Sequence, residues 1–339
     1  MDNKLRAVTK MEKKYVTCSL YKFVTLDNCE MLRQSILNEM KLNDLLGTIL
    51  LAEEGINGTI SGAGSAVDGF VEFLSVLIGS DDINTKRSTH DEVPFYRAKV
   101  KLKREIVSMG VEDIDPKETT GIRVDPVHWN NLINDPEVLV IDTRNSYEVG
   151  IGTFKDAVNP NTKSFRDFPE WAQNNINPQK HSRVAMFCTG GIRCEKSTAY
   201  AKDIGVKEVY QLEGGILNYL RTVPEDESLW SGECFVFDNR VAVNHDLEKG
   251  SYDQCHACRM PITTADKMLS SYAKGQSCKH CFGTHNEQKQ QRFSERQRQI
   301  MLSKSRGEDH IGAGAHEATE RRRAEKKPAV AAFKAAIDL

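Results

Sequence analysis

The sequence predicts a multidomain α/β protein that ends in a small four-cysteine module and a basic tail. Its 339 residues suffice for two or three domains at about 150 residues per domain. Strand and helix hydrophobic periods alternate over most of the chain. The nine cysteines form uneven groups rather than the framework of a disulfide-rich secreted protein.

The net charge identifies no partner, because 46 Lys and Arg nearly balance 48 Asp and Glu. This balance hides a basic C-terminus, since residues 287–339 carry 12 Lys or Arg against 8 Asp or Glu. The chain has no apolar run long enough to span a membrane, and charges interrupt the N-terminus where a signal peptide would be apolar. We therefore expect a cytoplasmic protein without membrane contacts, of an oligomeric state that the sequence does not indicate.

The first segment changes hydrophobic period in the order strand, helix, strand, strand, helix, strand. The predicted elements are strand Tyr15–Phe23, helix 29–40, strand Leu46–Ala52, strand 59–61, a helix between 65 and 77 and strand 95–103. We expect residues 55–58, Gly-Ile-Asn-Gly, to form a tight turn, because Gly and Asn accept positive φ. This order predicts a ferredoxin-like βαββαβ domain at 1–110, a fold that does not specify a function.

The last strand of that domain has a basic face. Lys99, Lys101 and Lys103 alternate with Val100 and Leu102, and one more cation follows, Arg104. Alternate strand residues share a face, so these cations could bind phosphates. The alternative is an ordinary solvated edge, since lysines often protect exposed edge strands.

Strand and helix alternate again after a polar connector at 112–125. The predicted elements are a short helix from 126, strand 138–141, helix 166–174, strand 184–187, helix 195–204 and strand Glu208–Leu212. This alternation predicts an α/β domain at 122–230 with a mainly parallel sheet, in which ligands bind beyond the carboxyl ends of the strands.

The best candidate for chemistry is Cys188, which follows an apolar strand. The candidate active-site loop comprises Cys188, Thr189, Gly190, Gly191, Ile192, Arg193 and Cys194. Its glycines allow backbone N–H groups to turn toward an anion, and the next helix and Arg193 favour a thiolate. We expect Cys188 to be a nucleophile and Arg193 to assist it. A small buried residue at a strand end is the structural alternative.

Loop length argues against a cysteine phosphatase. Such an enzyme needs five residues between its Cys and its Arg in order to surround a phosphate, whereas Cys188 and Arg193 are separated by four. Cys194 could resolve an oxidised or persulfidated Cys188 by forming a disulfide. Alternatively, Cys194 only packs in the core.

Residues 126–229 resemble the rhodanese family. The matching stretches are VIDTR at 140–144, YE at 147–148, AVN at 157–159 and VYQLEGGI at 209–216. The chain departs from the family at 150–154, where it reads GIGTF and lacks the His that often precedes the Ile. The resemblance implies a rhodanese domain whose loop cysteine, Cys188, carries a persulfide held by backbone N–H groups.

Four further cysteines predict a structural zinc site within a module at 231–300. The ligands would be Cys255, Cys258, Cys278 and Cys281, two Cys-x-x-Cys pairs separated by 19 residues. This spacing is typical of tetrahedral zinc, which could supply folding energy to a segment with few large apolar residues. A Cys3His site using a histidine at 256, 280 or 285, or a pair of redox disulfides, remains an alternative.

A basic tail follows at 301–339, after a helix-prone stretch at 287–302. The cations of the helix-prone stretch and of the tail suggest sequence-independent contacts with RNA phosphates. They are Arg292, Arg296, Arg298, Arg321, Arg322, Arg323, Lys326 and Lys327. The alternative is a solvated or partly disordered tail.

The whole chain is similar to the bacterial rhodanese-domain tRNA uridine hydroxylases. The similarity rests on EEGINGT at 53–59, CTGGIRCEK at 188–196, CHAC at 255–258 and the last two cysteines. It implies an acylphosphatase-like N-terminal domain, tRNA as partner, molecular oxygen as co-substrate and formation of 5-hydroxyuridine at the wobble position. It also implies RNA contacts from Lys99, Lys101, Lys103, Arg104 and the C-terminal arginines.

The sequence contains no flavin or nicotinamide fingerprint and no facial-triad iron site. Cys188 could attack C6 of uracil, or it could deliver oxygen from an oxidised sulfur. Two other functions remain open: a sulfurtransferase that passes persulfide sulfur to a small acceptor or a tRNA base, and an RNA-binding scaffold with an inert rhodanese domain.

Overall fold

A computed structural model describes residues 15–91, 94–308, 321 and 324. It confirms the predicted fold class: a ferredoxin-like N-terminal domain, a central α/β domain with a parallel sheet, and a C-terminal four-cysteine cluster followed by a helix. Within this part of the chain, no helix combines the length and the hydropathy that crossing a membrane requires.

The N-terminal domain is a five-stranded sheet with two helices on one face. Its elements are β1 Tyr15–Phe23, α1 Cys29–Leu42, β2 Leu46–Ala52, β3 Gly55–Gly62, α2 Gly64–Ile78, β4 Asn84–His90 and β5 Ala98–Leu102. The strand order is β4-β1-β3-β2-β5. Ile36 and Met40 of α1 and Phe70 and Leu74 of α2 are buried against the sheet.

The closing strand of the βαββαβ unit is β4, not the lysine-rich strand expected at 95–103. β4 pairs antiparallel with β1, whereas β5 is an additional strand that pairs parallel with β2 at the opposite edge. The sequence of β4, NTKRSTH, has no apolar face because it is an edge strand, so its hydrophobic pattern gave no strand signal.

The expected turn at 55–58 is also wrong, because these residues begin β3. Ala52 pairs with Gly55, so Glu53 and Glu54 form the hairpin loop. Gly55 has φ 143°, and a Cβ there would lie 2.0 Å from the Lys22 carbonyl oxygen. A Cβ at Gly58 would lie 2.5 Å from the Thr48 carbonyl oxygen. Close strand packing, rather than a turn, requires these glycines.

The central domain contains a four-stranded parallel sheet in the order β6-β10-β9-β7. Its elements are β6 Ile122–Val124, α3 Pro126–Ile133, β7 Val138–Asp142, α4 Ser146–Val149, β8 Gly152–Phe154, α5 Phe168–Asn175, β9 Arg183–Phe187, α6 Ile192–Asp203, β10 Glu208–Leu212, α7 Gly215–Thr222 and β11 Trp230–Gly232. The short strand β6 lies within what the sequence suggested was only a polar connector. The carboxyl ends of β7 and β9 lie side by side and position the loop that begins at Cys188.

The remaining described residues form small sheets and one long helix. Their elements are β12 Cys234–Phe235, β13 Ala242–Val243, β14 Asp253–Gln254, β15 Pro261–Ile262 and α8 Glu287–Ser305. β12 pairs with β13, and β14 pairs with β15. The second pair carries the four-cysteine cluster, whose small core also includes Ile262.

Candidate functional site

Cys188 occupies the position expected of a nucleophile at a strand end. It follows β9 directly and is completely buried. The backbone N–H of Gly191 donates to Cys188 Sγ at 3.2 Å. Gly191 has φ 98° and precedes the first residue of α6, so a residue with a Cβ would be strained at this position. The loop therefore directs backbone donors toward the sulfur.

The surroundings of Cys188 favour its thiolate. Burial is the largest single influence and by itself raises the pKa of the thiol. A hydrogen bond from the Cys194 thiol, the charge of Arg193 and the backbone N–H groups of both residues outweigh it, so the pKa falls to about 6. At neutral pH Cys188 is consequently a buried thiolate.

Cys194 lies one turn into α6 and is also fully buried. Burial and the adjacent Cys188 thiolate raise its pKa well above the ordinary value. The pair therefore consists of a thiolate accepting from a thiol, an arrangement that can proceed to a disulfide when the first sulfur is oxidised.

The Arg193 guanidinium lies near the Cys188 sulfur and also forms hydrogen bonds with other side chains. Its guanidinium donates to both carboxylate oxygens of Glu148, at 2.6 and 2.8 Å, and to Thr189 Oγ1 at 3.4 Å. Burial alone would raise the pKa of Glu148, but Arg193 holds it below its usual value. Arg193 thus fixes the loop through Glu148 as well as contributing positive charge near Cys188.

A second buried ion pair supports the neighbouring strand end. Arg144 donates to both carboxylate oxygens of Asp142, at 2.9 and 2.6 Å, and to the carbonyl oxygens of Glu148 and Gly152. Neither side chain of the pair has solvent-exposed area. Because a buried charge is tolerated only when it is paired and hydrogen-bonded, this network holds the segment that carries Glu148 under the loop.

The N-terminal domain holds α6 from the opposite side. Lys196 Nζ lies 2.7 Å from Glu54 Oε2, in the β2–β3 loop, and 2.7 Å from Glu105 Oε2, in the segment that follows β5. We refer to Lys196, Glu54 and Glu105 as the lysine clamp. Glu54 also accepts from the backbone N–H of Ile106 at 2.6 Å, so the clamp joins three segments of the chain.

Glu195, the residue before Lys196, is a second contact between the domains. It accepts from Tyr21 Oη at 3.0 Å, from Thr120 Oγ1 at 2.8 Å and from the Arg123 guanidinium at 3.1 Å. Burial, followed by the Glu195 charge, raises the pKa of Tyr21. A Cβ on Gly191 would lie 3.0 Å from the Tyr21 hydroxyl, so the N-terminal domain contacts the active loop directly.

Solvent does not reach Cys188 in this conformation. The nearest cleft is lined by Thr189, the next residue of the loop, and by the N-terminal sheet and segment 236–243. A substrate atom can meet the sulfur only if side chains at the inner end of this cleft move.

The predicted RNA-binding residues Lys99, Lys101, Lys103 and Arg104 are all exposed on or just after β5. Burial lowers the pKa of Lys99, and repulsion from Arg97, Lys101 and Arg259 lowers it further. Arg259 adjoins Cys258, so the positive surface extends from β5 onto the four-cysteine module. This arrangement does not bring the lysines to the Cys188 loop.

The four cysteines Cys255, Cys258, Cys278 and Cys281 converge. Their sulfur atoms all lie within 4.8 Å of one another, with pairs at 4.0, 3.6 and 3.9 Å. Tetrahedral zinc with bonds of about 2.3 Å would separate its sulfurs by about 3.8 Å. The cluster can therefore hold a metal such as zinc.

The four cysteines form the metal-binding group that the structure brings together in this module. Within the described ranges no histidine joins the cluster, and the nine cysteines are present as free thiols. Four thiolates and no open position correspond to a structural site rather than a catalytic one.

The arginines of α8 do not all face solvent freely. Arg296 donates to the carbonyl oxygens of His256 and Gly275, at 2.8 and 2.9 Å, and so fastens the helix to the four-cysteine module. Arg298 pairs with Glu295 at 2.8 Å, and Arg321 pairs with Glu308 at 2.8 Å. The expected RNA contacts of Arg322, Arg323, Lys326 and Lys327 lie outside the described residues.

Sequence reasoning missed several residues around the loop, notably Tyr21, Glu105, Lys86, Arg221 and Phe237. Three of them, Tyr21, Lys86 and Glu105, come from segments far before Cys188 in the chain, and only domain packing brings them near it. Phe237 gave one usable signal, because it follows Cys234-Phe235-Val236 in a short apolar run that belongs to no predicted element.

Two protein-family models match this chain. Residues 15–106 match the UPF0176 acylphosphatase-like domain, and residues 126–222 match the rhodanese-like domain. The second match includes the complete Cys188 loop. The two matches correspond to the two α/β domains of the structure.

Solved structures of single domains are also similar to parts of the chain. A rhodanese-like domain from Anabaena sp. has 13% identity and a TM-score of 0.28, with 32% of this chain and 78% of that chain covered. An acylphosphatase from Coxiella burnetii has 11% identity and a TM-score of 0.22, with 28% and 99% covered. A rhodanese-related protein from Thermoplasma volcanium has 17% identity and a TM-score of 0.24, with 30% and 95% covered.

The Cys188 thiolate should be detectable by its reactivity. We expect iodoacetamide, which reaches Cys188 when the side chains that cover the sulfur move, to alkylate it with a pH midpoint near 6, because only the thiolate reacts. Cys194→Ala removes the thiol donor, so the midpoint should rise and alkylation at neutral pH should slow. Peptide mass spectrometry of the adduct measures both. Cys234→Ala is the matched control, since Cys234 is a separate buried thiol whose pKa burial raises to about 12; an unchanged midpoint in Cys194→Ala would contradict the thiolate–thiol pair.

The four-cysteine cluster should retain metal through purification. We expect about one zinc per chain by elemental mass spectrometry, as four thiolates require, and loss of that zinc in Cys258→Ser and Cys278→Ser. Loss of the metal should also release α8, because Arg296 donates to the module at His256 and Gly275. Cys29→Ser, outside the cluster, should keep the metal. Purified protein without metal, or with cysteines 255 and 281 joined in a disulfide, would refute this assignment.

Proposed function

We propose that the protein is an oxygen-dependent tRNA uridine hydroxylase, since it combines a UPF0176 acylphosphatase-like N-terminal domain with a rhodanese-like domain. In this proposal Cys188 acts on the wobble uridine, molecular oxygen is the co-substrate and 5-hydroxyuridine is the product. The observation that carries the proposal is the thiolate of Cys188, fixed in a backbone cradle beside a second domain that itself contacts the loop.

The cradle gives Cys188 two properties that the reaction needs. Its thiolate exists at neutral pH because Cys194, Arg193 and backbone N–H groups stabilise it. Its position is fixed, because the ion pair of Arg193 with Glu148 and the lysine clamp hold both ends of the short loop and helix start. A fixed, charged nucleophile loses little entropy when a substrate base is placed next to it.

Thiolate addition offers one route to a hydroxylated base. Attack of Cys188 Sγ on C6 of uracil transfers electron density to C5, which takes up O2 as a hydroperoxide, and two electrons from an external thiol reductant convert this hydroperoxide to the C5 hydroxyl and water. Loss of the C5 proton and expulsion of the thiolate restore the ring. In the other route O2 and two electrons from an external thiol reductant form the Cys188 sulfenic acid and water, and the sulfenic acid delivers its oxygen to the base and returns to the thiol. A sulfenic acid that does not react with the base condenses with the Cys194 thiol to a disulfide and water, and the external thiol reduces this disulfide.

Charge supports RNA as the partner. Burial lowers the pKa of Lys99, and repulsion from three nearby cations lowers it further. These cations are Arg97 and Lys101 at the β5 edge and Arg259 of the four-cysteine module. A polyanion that binds across this surface relieves the repulsion and releases counterions. The four-cysteine module thus contributes to the RNA surface through Arg259 rather than through its metal site.

A second function has its own support. The rhodanese-like domain and the N–H of Gly191 directed at Cys188 Sγ also suit a persulfide, so the protein could transfer sulfur to a thiol or a tRNA base. An inert scaffold is disfavoured, since the surroundings of Cys188 stabilise the thiolate, which is the reactive form of cysteine.

Nucleoside analysis distinguishes these functions. In cells that lack the protein we expect 5-hydroxyuridine and its derivatives to fall in total tRNA, with recovery upon expression of the wild type and no recovery with Cys188→Ser. Liquid chromatography with mass spectrometry of digested tRNA gives both hydroxylated and thiolated nucleosides in one run. Cys29→Ser is the matched cysteine control and should restore the modification.

Unchanged hydroxylated nucleosides together with missing thiolated ones would replace hydroxylation with sulfur transfer. Full recovery with Cys188→Ser would exclude both cysteine-based functions.

A further inference from the structure

A narrow cleft of about 60 Å³, bordered by the exposed ring of Phe237, separates the N-terminal sheet from the Cys188 loop. Its walls carry hydroxyl groups and cations of the sheet, Arg221 of α7, Thr189 of the active loop and the side chain of Phe237. Ser19, Thr59 and Lys86 lie opposite one another on three adjacent strands, so they form one polar row across the wall. Neither this row nor Phe237 has a part in the proposed chemistry of Cys188.

Phe237 is unusual because it is exposed on a rigid loop. It is 62% exposed, yet the N–H of Val236 donates to the Val241 carbonyl at 2.9 Å and the N–H of Val241 donates to the Asp238 carbonyl at 3.1 Å. Val241 has φ 68°, a strained conformation for a β-branched residue. Strain of this kind persists only where surrounding contacts impose it, and it concentrates at functional sites.

The loop that carries Phe237 also contacts strand β4 of the N-terminal sheet and Arg193 of the active loop. Arg240 forms a forked pair with Asp238 and donates to Ser88 Oγ of β4 at 2.8 Å. The Phe237 ring contacts Phe235 edge-on at 5.2 Å, and the Arg193 guanidinium lies 5.9 Å from its centroid. The ring is therefore a fixed aromatic surface between the cleft and a residue of the active loop.

Two cations of the cleft have no carboxylate partner among the described residues. Lys86 Nζ donates to Asn84 Oδ1 and to the Thr85 carbonyl oxygen, and Arg221 donates to Asn218 Oδ1 at 2.7 Å. Burial lowers the pKa of Lys86, repulsion from Arg221 lowers it further, and the charge of Glu213 opposes this shift. The charged residues that line the cleft are four cations, Lys86, Arg87, Arg221 and Arg240, and one carboxylate, Asp238, and this excess of positive charge favours an anion.

The cleft is adjacent to the reacting sulfur. A Cβ on Gly214 would lie 2.3 Å from Lys86 Cε, so the lysine stem crosses the glycine turn before α7. The same turn leads into the backbone N–H groups of Ile216 and Leu217, which donate to the carbonyl oxygens of Cys188 and Thr189 at 3.0 and 3.1 Å. Lys86 is thus separated from the active loop by a single turn of chain.

We propose that this cleft binds one unpaired nucleotide of an RNA strand, with its base stacked on Phe237 and its phosphate held by Lys86 and Arg221. An exposed aromatic ring beside free cations is the combination that single-stranded nucleic acid requires. The hydroxyl row of Ser19 and Thr59 can bond to a ribose hydroxyl or to a base edge, which distinguishes RNA from DNA. The inference rests on the proposed tRNA substrate and specifies where its unpaired base enters.

Binding of an RNA anticodon stem-loop to the full-length protein tests this cleft. The probe carries a fluorophore and 5-bromouridine at the wobble position, and anisotropy at several salt concentrations gives affinity and salt dependence. Lys86→Met and Arg221→Met should each weaken binding about three- to tenfold and reduce the salt slope by about 0.7, the effect of one lost phosphate contact on a single strand. Phe237→Ala should weaken binding about tenfold with an unchanged slope, and Phe237→Tyr should bind like wild type.

Matched controls come from the other end of the parallel sheet and from the four-cysteine module. Lys207→Met removes an exposed lysine that precedes β10, and Met268→Ala removes an apolar side chain that is 84% exposed; both should leave affinity unchanged. Ultraviolet irradiation of the bromouridine complex should crosslink the peptide that contains Phe237. Thermal unfolding of every variant verifies that the fold is retained.

The outcomes separate this inference from the proposed function. If wild type fails to bind the stem-loop, the tRNA function itself is overturned. If wild type binds but the three cleft variants bind equally well, and the crosslink maps to β5 instead, the cleft inference is wrong while the tRNA function stands. Equal competition by a phosphorylated peptide would assign the cleft to a protein ligand and would also overturn the inference.

Discussion

The contact on which the site depends most is the lysine clamp. Lys196 is almost completely buried between Glu54 and Glu105, carboxylates that lie in the β2–β3 loop and in the segment that follows β5. Removing one partner of a buried ion pair typically costs about 3–5 kcal/mol, because a charge is left uncompensated. Since Lys196 lies in α6, the same contact fixes the helix whose first turn supplies Arg193 and Cys194 to the Cys188 sulfur. The active loop is therefore completed by a domain other than its own.

Electrostatics explain why this second domain matters. Arg193 is paired with Glu148 through two short hydrogen bonds and still contributes positive charge that stabilises the Cys188 thiolate. The other stabilising interactions are hydrogen bonds from the Cys194 thiol and from backbone N–H groups, and their strength depends strongly on distance and direction. Small displacements of α6 would weaken these hydrogen bonds. The clamp and the Tyr21–Glu195 contact prevent such displacements.

Local pattern was sufficient to predict much of this architecture. The apolar strand before Cys188, the glycines after it and the paired Cys-x-x-Cys motifs are each encoded within a few residues, and the family models agree with the two α/β domains. Structural features that depend on tertiary contacts could not be predicted from the sequence. β4 was missed because an edge strand needs no apolar face, and the glycines at 55 and 58 were assigned to a turn because close strand packing leaves the same signature. Tyr21, Glu105 and Lys86 acquire their roles only when the domains pack together.

Hydrogen exchange of the active loop tests the dependence on the second domain most directly. In a Glu54→Gln and Glu105→Gln double variant, the account predicts faster amide exchange at residues 189–194, with no change in the buried strand β7. Mass spectrometry of peptides from both regions gives the two rates in one experiment, and Glu170→Gln, an exposed carboxylate of α5, serves as the control. Unchanged exchange at residues 189–194 in the double variant would contradict the claim that the N-terminal domain holds the active loop in place.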